Sequence, residues 1–170
     1  MEQTDYFKGR KDLVGILKKI PFLKPYEEKY LIDILNLSKL RTYLPGELIT
    51  TEGEYDCWLY VILSGEVRVT KHDKQIAMLD SAGGTFGELS VIDGQARSAT
   101  VHAVQKTTCL AIDMSFMDRM DGEDRRDFDA IYYRAISEIL AQRLRQTSNE
   151  LTHVKDELEA LKESCISKKQ

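Results

Sequence analysis

FGELSVIDGQARSATV, residues 86–101, places a glycine, a carboxylate, an arginine and a serine in one loop between two strand-like segments. Gly87–Glu88 follows the glycine-rich turn Gly83–Gly84 and opens a short apolar run, LSVI. Arg97–Ser98 closes the same loop immediately before a strand. A helix beginning near Gly87 presents unsatisfied backbone N–H groups and a partial positive charge, which suits an anion. Arg97 offers a forked, permanently charged donor pair that matches phosphate oxygens in a way lysine does not. Ser98 adds a hydroxyl and an amide. Glu88 would repel a phosphate but accepts a hydrogen bond from a sugar hydroxyl. Taken alone, the pair fits a sugar phosphate or a plain surface ion pair, and GGTFG is a weak glycine signal.

Outward from that loop the chain is rich in β-branched and aromatic residues: ELITTE from Glu47, WLYVIL from Trp58, EVRVTK from Glu66, QIAML from Gln75, SATVHA from Ser98 and TTCLAI from Thr107. Such runs predict short strands. Their separators are turn-formers, namely Gly53, Ser64–Gly65, His72–Asp73–Lys74, Gly83–Gly84 and Asp93–Gly94. The middle of the chain therefore reads as an antiparallel β-roll of the jelly-roll or double-stranded β-helix type. Before it, residues 12–40 carry apolar side chains at helical spacings broken by Pro21 and Pro25, which predicts two short helices.

From Ser115 the pattern returns to helix, and from Phe128 onward neither proline nor glycine interrupts it. Leu140, Leu144, Thr147, Leu151, Val154, Leu158, Leu161 and Cys165 recur at alternating steps of four and three, a heptad seam. With Leu144, Leu151 and Leu158 at a positions, Glu150 and Glu157 fall at g, and Lys155 and Lys162 fall at e five residues on. In a parallel, in-register pair these charges oppose each other, so the expected assembly is a parallel homodimer through residues 140–165. The seam spans roughly 39 Å at ~1.5 Å per residue, longer than a small barrel is wide. The expected class is mainly β with flanking helices, a β-roll plus a long C-terminal coiled-coil helix. Its expected organisation is N-terminal helices over 1–42, the roll over 43–113, and a hinge and dimerisation helix over 114–170.

Composition narrows the functions available. The chain is 42% apolar and 31% charged, and no apolar run reaches the ~20 residues that span a bilayer. The opening MEQTDYFKGRKD lacks the apolar stretch of a secretory signal, so a cytoplasmic protein is expected. Cys57, Cys109 and Cys165 are odd in number and widely spaced, which predicts reduced packing residues rather than a disulfide framework or metal site. His72, His102 and His153 show no zinc-protease spacing. There is no nucleophile–base pair, so no catalytic residue, metal or cofactor is expected and the chain is not expected to be an enzyme. A net charge of −4 gives no basic footprint for nucleic acid.

The run at residues 86–101 resembles the phosphate-binding cassette of the cyclic nucleotide-binding domain family, found in catabolite activator proteins, cyclic-AMP-dependent kinase regulatory subunits and cyclic-nucleotide-gated channels. The stretch PGELITTEGEYDCWLYVILSGEVRVTK is similar to that family's first barrel strands, with Gly46, Gly53, Tyr60 and Gly65 at its usual glycine and aromatic places. The resemblance implies an eight-stranded β-roll, a short helix in the cassette and a long C-terminal helix. It further implies that Glu88 holds the ribose 2′-hydroxyl, that Arg97 pairs with the cyclic phosphate, and that the backbone at Gly87, Leu89 and Ser98 adds hydrogen bonds. Ala96 stands where the kinase members have proline, which alters loop stiffness and removes no contact group. QRLRQTSNEL resembles the part of the long helix where a Thr–Ser pair meets adenine, which adds Thr147 and Ser148 as base contacts. The implied ligand is cyclic AMP, with cyclic GMP the second possibility.

The expected function is a cyclic-nucleotide sensor that signals through its C-terminal helix, hinged at MDGEDRRD from Met120, to an unknown downstream protein. The alternatives are the ligand-binding and dimerisation part of a transcription regulator without its helix-turn-helix, or a non-binding dimerisation module.

Overall fold

Helix α2 (Glu28–Leu37) ends where Ser38 turns extended and its hydroxyl donates to the Ile34 carbonyl. This local stop starts the β-architecture. The computed structural model describes residues 2–4, 14–20, 23–120 and 122–167. Asp12 and Leu13 of the first anticipated helix, and Asp121 of the hinge, lie outside them. Within them α1 (Val14–Leu17) and α2 are the two expected short helices.

Nine strands follow one another among the described residues: β1 (Glu2–Thr4), β2 (Ser38–Tyr43), β3 (Leu48–Thr50), β4 (Trp58–Ser64), β5 (Val67–Lys71), β6 (Lys74–Leu79), β7 (Thr85–Phe86), β8 (Thr100–Ala103) and β9 (Thr107–Asp113). They form a five-stranded sheet ordered β1-β2-β9-β4-β7 and a four-stranded sheet ordered β3-β8-β5-β6, with every pairing antiparallel. The β-roll is the one expected, and each of the six anticipated runs contains a strand. Two strands correct the reading. β2 occupies residues given to helix up to Leu40, because pairing of Ser38–Tyr43 along the whole of β9 outweighs the helical spacing of its leucines. β1 then extends the same sheet, so the count exceeds the eight implied by resemblance.

The sheets close on Tyr60, Ile62, Val67, Phe86, Val101, Cys109 and Ala111, all buried. Tyr60 and Phe86 stack with centroids 4.9 Å apart and planes 3° from parallel. Strands β5 and β6 join through His72–Asp73, both with positive φ, the backbone twist that a two-residue hairpin requires. Gly65 has φ +99°, and a Cβ there would sit 2.5 Å from the Thr107 backbone and hydroxyl. That close approach lets the buried Thr107 hydroxyl serve Glu66 and Gln105 of the adjoining loops. Of the cysteines, Cys109 is buried as expected and Cys57 is exposed, a correction: it lies ahead of β4, outside that strand's apolar run.

After β9 a 3-10 helix (Met114–Arg119) leads to α4 (Gly122–Ser167). The chain divides into two compact units, Met1–Ile131 and Tyr132–Gln170. In the first, Phe128 of α4 packs edge-on or tilted against Tyr26, Tyr30 and Phe116 at 5.0 to 5.8 Å. Lys29 pairs with Asp124 at 2.8 Å. The second unit is the distal part of α4, on which Leu144, Leu151, Val154, Leu158 and Leu161 are exposed. These are the seam positions of the heptad.

Candidate functional site

The loop between β7 and β8 is built around a left-handed glycine. Gly87, with φ +84°, caps the N-terminus of α3 (Glu88–Asp93), and Gly94, also left-handed, ends it with its N–H on the Ser90 carbonyl. Gln95 N–H then donates to Asp93 Oδ1 at 2.9 Å, which turns the chain back toward the sheet. Arg97 rejoins the roll through its backbone: its N–H donates to the Glu54 carbonyl at 2.8 Å, and its carbonyl accepts from Gly53 N–H at 2.9 Å. The loop before β4 and the loop after α3 are thereby stitched together at one residue.

The Arg97 side chain turns inward and is 3% exposed. Its Nε donates to Asp56 Oδ2 at 3.1 Å, and its Nη2 donates to Asp56 Oδ1 and to the Trp58 carbonyl, the latter at 2.6 Å. Nη1 donates to the Gly87 carbonyl at 2.8 Å and to Ser90 Oγ at 2.9 Å. Ser90 in turn donates to the Gly87 carbonyl at 3.2 Å. A guanidinium has five N–H donors, and all five are engaged. A buried guanidinium is tolerable only with such compensation. Gly87 is fixed by the same packing, since a Cβ on it would stand 2.4 Å from Arg97 Nη1 and 2.8 Å from the Trp58 carbonyl.

A second arginine lies close by. Arg41 Nη1 donates to the Tyr60 hydroxyl at 2.8 Å, and its guanidinium rests 4.2 Å from the Trp58 ring centroid. Arg41 and Arg97 lie 5.8 and 5.9 Å from the Tyr60 ring centroid. Burial pushes the Tyr60 phenol up, and these cations pull against that shift.

The sequence-expected residues fall into two groups. Gly87, Glu88, Leu89, Arg97 and Ser98 share this one loop, with Glu88 2% and Arg97 4% exposed, Leu89 40% exposed and Ser98 at the surface. Thr147 and Ser148 belong to the second unit and are exposed on α4, where the Ser148 carbonyl accepts from Thr152 Oγ1 at 3.0 Å. Sequence reasoning missed Asp56 and Ser90. Ser90 was hidden inside the apparent apolar run LSVI. Asp56 carried a faint signal, as an acid set just ahead of an apolar strand. Among the described residues no group of three or more His, Cys, Asp or Glu could hold a metal ion.

Residues 40–123 match the profile of the family described as "Cyclic nucleotide-binding domain". These residues belong to that family. The chain is 31% identical over 106 residues to a cGMP-dependent protein kinase of Eimeria tenella, covering 62% of the chain and 10% of that kinase. The chain thus spans about a tenth of the length of that relative. Among solved structures, a putative cyclic nucleotide-binding protein of Geobacter metallireducens superposes with a TM-score of 0.70 at 18% identity, over 76% of this chain and 96% of that one. At that identity the likeness is one of fold. The catabolite activator protein of Thermus thermophilus superposes with a TM-score of 0.61 at 26% identity, over 79% of this chain and 63% of that one. Within the described residues no helix is long and apolar enough to cross a membrane.

Proposed function

We propose that this protein is a cyclic-nucleotide receptor that takes cyclic AMP, with cyclic GMP as second ligand, and transmits binding through α4 to a partner protein. The observation that carries the reading is that one glycine-capped loop holds both a buried carboxylate, Glu88, and a buried guanidinium, Arg97. Arg97 would meet the cyclic phosphate, Glu88 the ribose 2′-hydroxyl, and the backbone at Gly87, Leu89 and Ser98 would add donors. Thr147 and Ser148 keep the role their resemblance implies, as hydroxyls for the base. Cyclic AMP is favoured by that Thr–Ser pair, and the kinase relative's name is the argument for cyclic GMP.

The output side of the proposal is a parallel homodimer through residues 140–165. Its support is the row of exposed leucines and Val154 at heptad positions, with Glu150 and Glu157 at g and Lys155 and Lys162 at e. The chain acts as a sensor rather than a catalyst, working in the cytoplasm. One observation favours a second reading, a non-binding dimerisation module: every donor of Arg97 already has a protein acceptor. Calorimetry separates the two. Cyclic AMP is expected to give a saturable heat with the wild type and none with Arg97→Ala; equal heats would defeat the receptor reading.

A further inference from the structure

Arg97 can meet a phosphate only by giving up one of five existing acceptors, so the identity of the weakest one governs how the site responds to an anion. Two of the five come from the Asp56 carboxylate, which engages Nε and Nη2 as a charged fork. Two are backbone carbonyls, Trp58 in β4 and Gly87 at the cap of α3, each fixed by its element. The fifth is the hydroxyl of Ser90, neutral, 6% exposed and free to turn about a single side-chain bond. Charge-assisted bonds to carboxylates are the stronger class, so the serine contact is the least costly to break.

We propose that Ser90 is the exchangeable partner of Arg97, and that its hydroxyl sets how tightly the cassette holds a phosphate. The proposal rests on the receptor reading above. When an anion reaches Nη1, Ser90 Oγ rotates away and yields its place as acceptor to the anion. The Gly87 carbonyl tolerates this exchange, because it accepts from Nη1 at 2.8 Å as well as from Ser90 at 3.2 Å and keeps a donor when the serine leaves. In the unexchanged arrangement Ser90 spares a buried guanidinium an unsatisfied N–H. It therefore stabilises the protein at the expense of anion affinity, and is a positioning residue with specificity for phosphate.

The test compares the wild-type chain with Ser90→Ala and with Ser90→Cys, which keeps the volume but offers only a weak acceptor. Removing the acceptor strands one donor of a buried cation, and a bound phosphate restores it. Both variants are expected to melt lower than the wild type and to bind cyclic AMP more tightly, Ser90→Ala by roughly tenfold. Adenosine, which has no phosphate, should show no such gain. A merely structural serine would lower stability and affinity together, so unchanged or weaker binding of cyclic AMP by both variants overturns the proposal. Inorganic phosphate supplies a second arm, in which thermal stabilisation should be larger in Ser90→Ala than in the wild type; equal shifts also overturn it. Failure of the wild type to bind cyclic AMP defeats the receptor reading alone, and the phosphate arm then decides the role of Ser90.

Discussion

Asp56→Ala removes the only charged partner that the described contacts give Arg97 and leaves the guanidinium in place. Two of the five Arg97 donors lose their acceptor, in a side chain that is 3% exposed. Breaking a buried pair by deleting one member costs about 3–5 kcal/mol. Asp56 itself is 29% exposed, so water can reach part of the vacated volume and the lower end of that range applies, about 3 kcal/mol. Asp56 Oδ1 also accepts from Trp58 N–H at 2.8 Å, and losing that bond adds about 1 kcal/mol at the start of β4. For a chain of this size each kcal/mol lowers Tm by roughly 2–4 °C, so a loss of about 4 kcal/mol should lower the melting point by roughly 8–16 °C. Asp56→Asn keeps a neutral acceptor and should fall between. Urea unfolding suits the measurement, because the single tryptophan, Trp58, lies two residues from the substitution and reports locally while far-ultraviolet dichroism reports globally. A double-mutant cycle with Arg97→Ala then isolates the pair: with no guanidinium to strand, the cost of removing Asp56 should shrink by about 2 kcal/mol. A loss under about 1 kcal/mol for Asp56→Ala, or strict additivity in the cycle, would refute the assignment of the pair as the internal anchor of the loop.

Further outcomes follow from the same structure. Gly87→Ala forces a left-handed φ on alanine and pushes a methyl against Arg97 Nη1, so a stability loss of at least about 1–2 kcal/mol and a loss of cyclic AMP binding are expected by denaturation and calorimetry, whereas the half-exposed Leu89 should tolerate alanine in the stability assay. Alkylation at mildly alkaline pH followed by peptide mass spectrometry should modify exposed Cys57 and spare Cys109, whose thiol burial pushes up from 9.0 to about 12. Because the folded value is the higher one, that thiol's contribution to stability is present below pH 9 and lost as pH rises toward 12, so Cys109→Ala should flatten the alkaline limb of the stability profile. Leu151→Asp, at an exposed a position, should convert the proposed dimer to a monomer by light scattering while leaving the dichroism of the β-roll unchanged; a mass unaffected by the substitution would exclude the heptad seam as the interface.

What the sequence made legible was whatever is periodic or contiguous. Short runs of β-branched and aromatic residues between turn-formers located β4, β5 and β9, and the four consecutive buried residues within β4 and within β9 show why those two read as continuous apolar stretches. Helix α4 is legible for a different reason, since from Phe128 onward its run holds neither proline nor glycine. β2 was not, since the leucines of residues 31–40 keep a helical spacing across the true boundary at Ser38, and only β9, some seventy residues on, makes the extended form the better one. The functional loop divides along the same line. Gly87, Glu88 and Arg97 lie within one short segment, where order along the chain is close to order in space. Three of the acceptors of Arg97 do not: the two Asp56 oxygens and the Trp58 carbonyl arrive from the start of β4 and the loop before it, about forty residues away, and every residue has a carbonyl, so composition does not mark them. One general constraint nonetheless follows from the amino-acid order itself. An arginine placed between a glycine-capped helix and a strand must be either exposed or supplied with five acceptors, and the one hydroxyl on that helix belongs to Ser90. Counting donors would have drawn that serine out of the run LSVI, where hydrophobic pattern alone concealed it, and it is the residue whose replacement now separates an internal lock from a phosphate site.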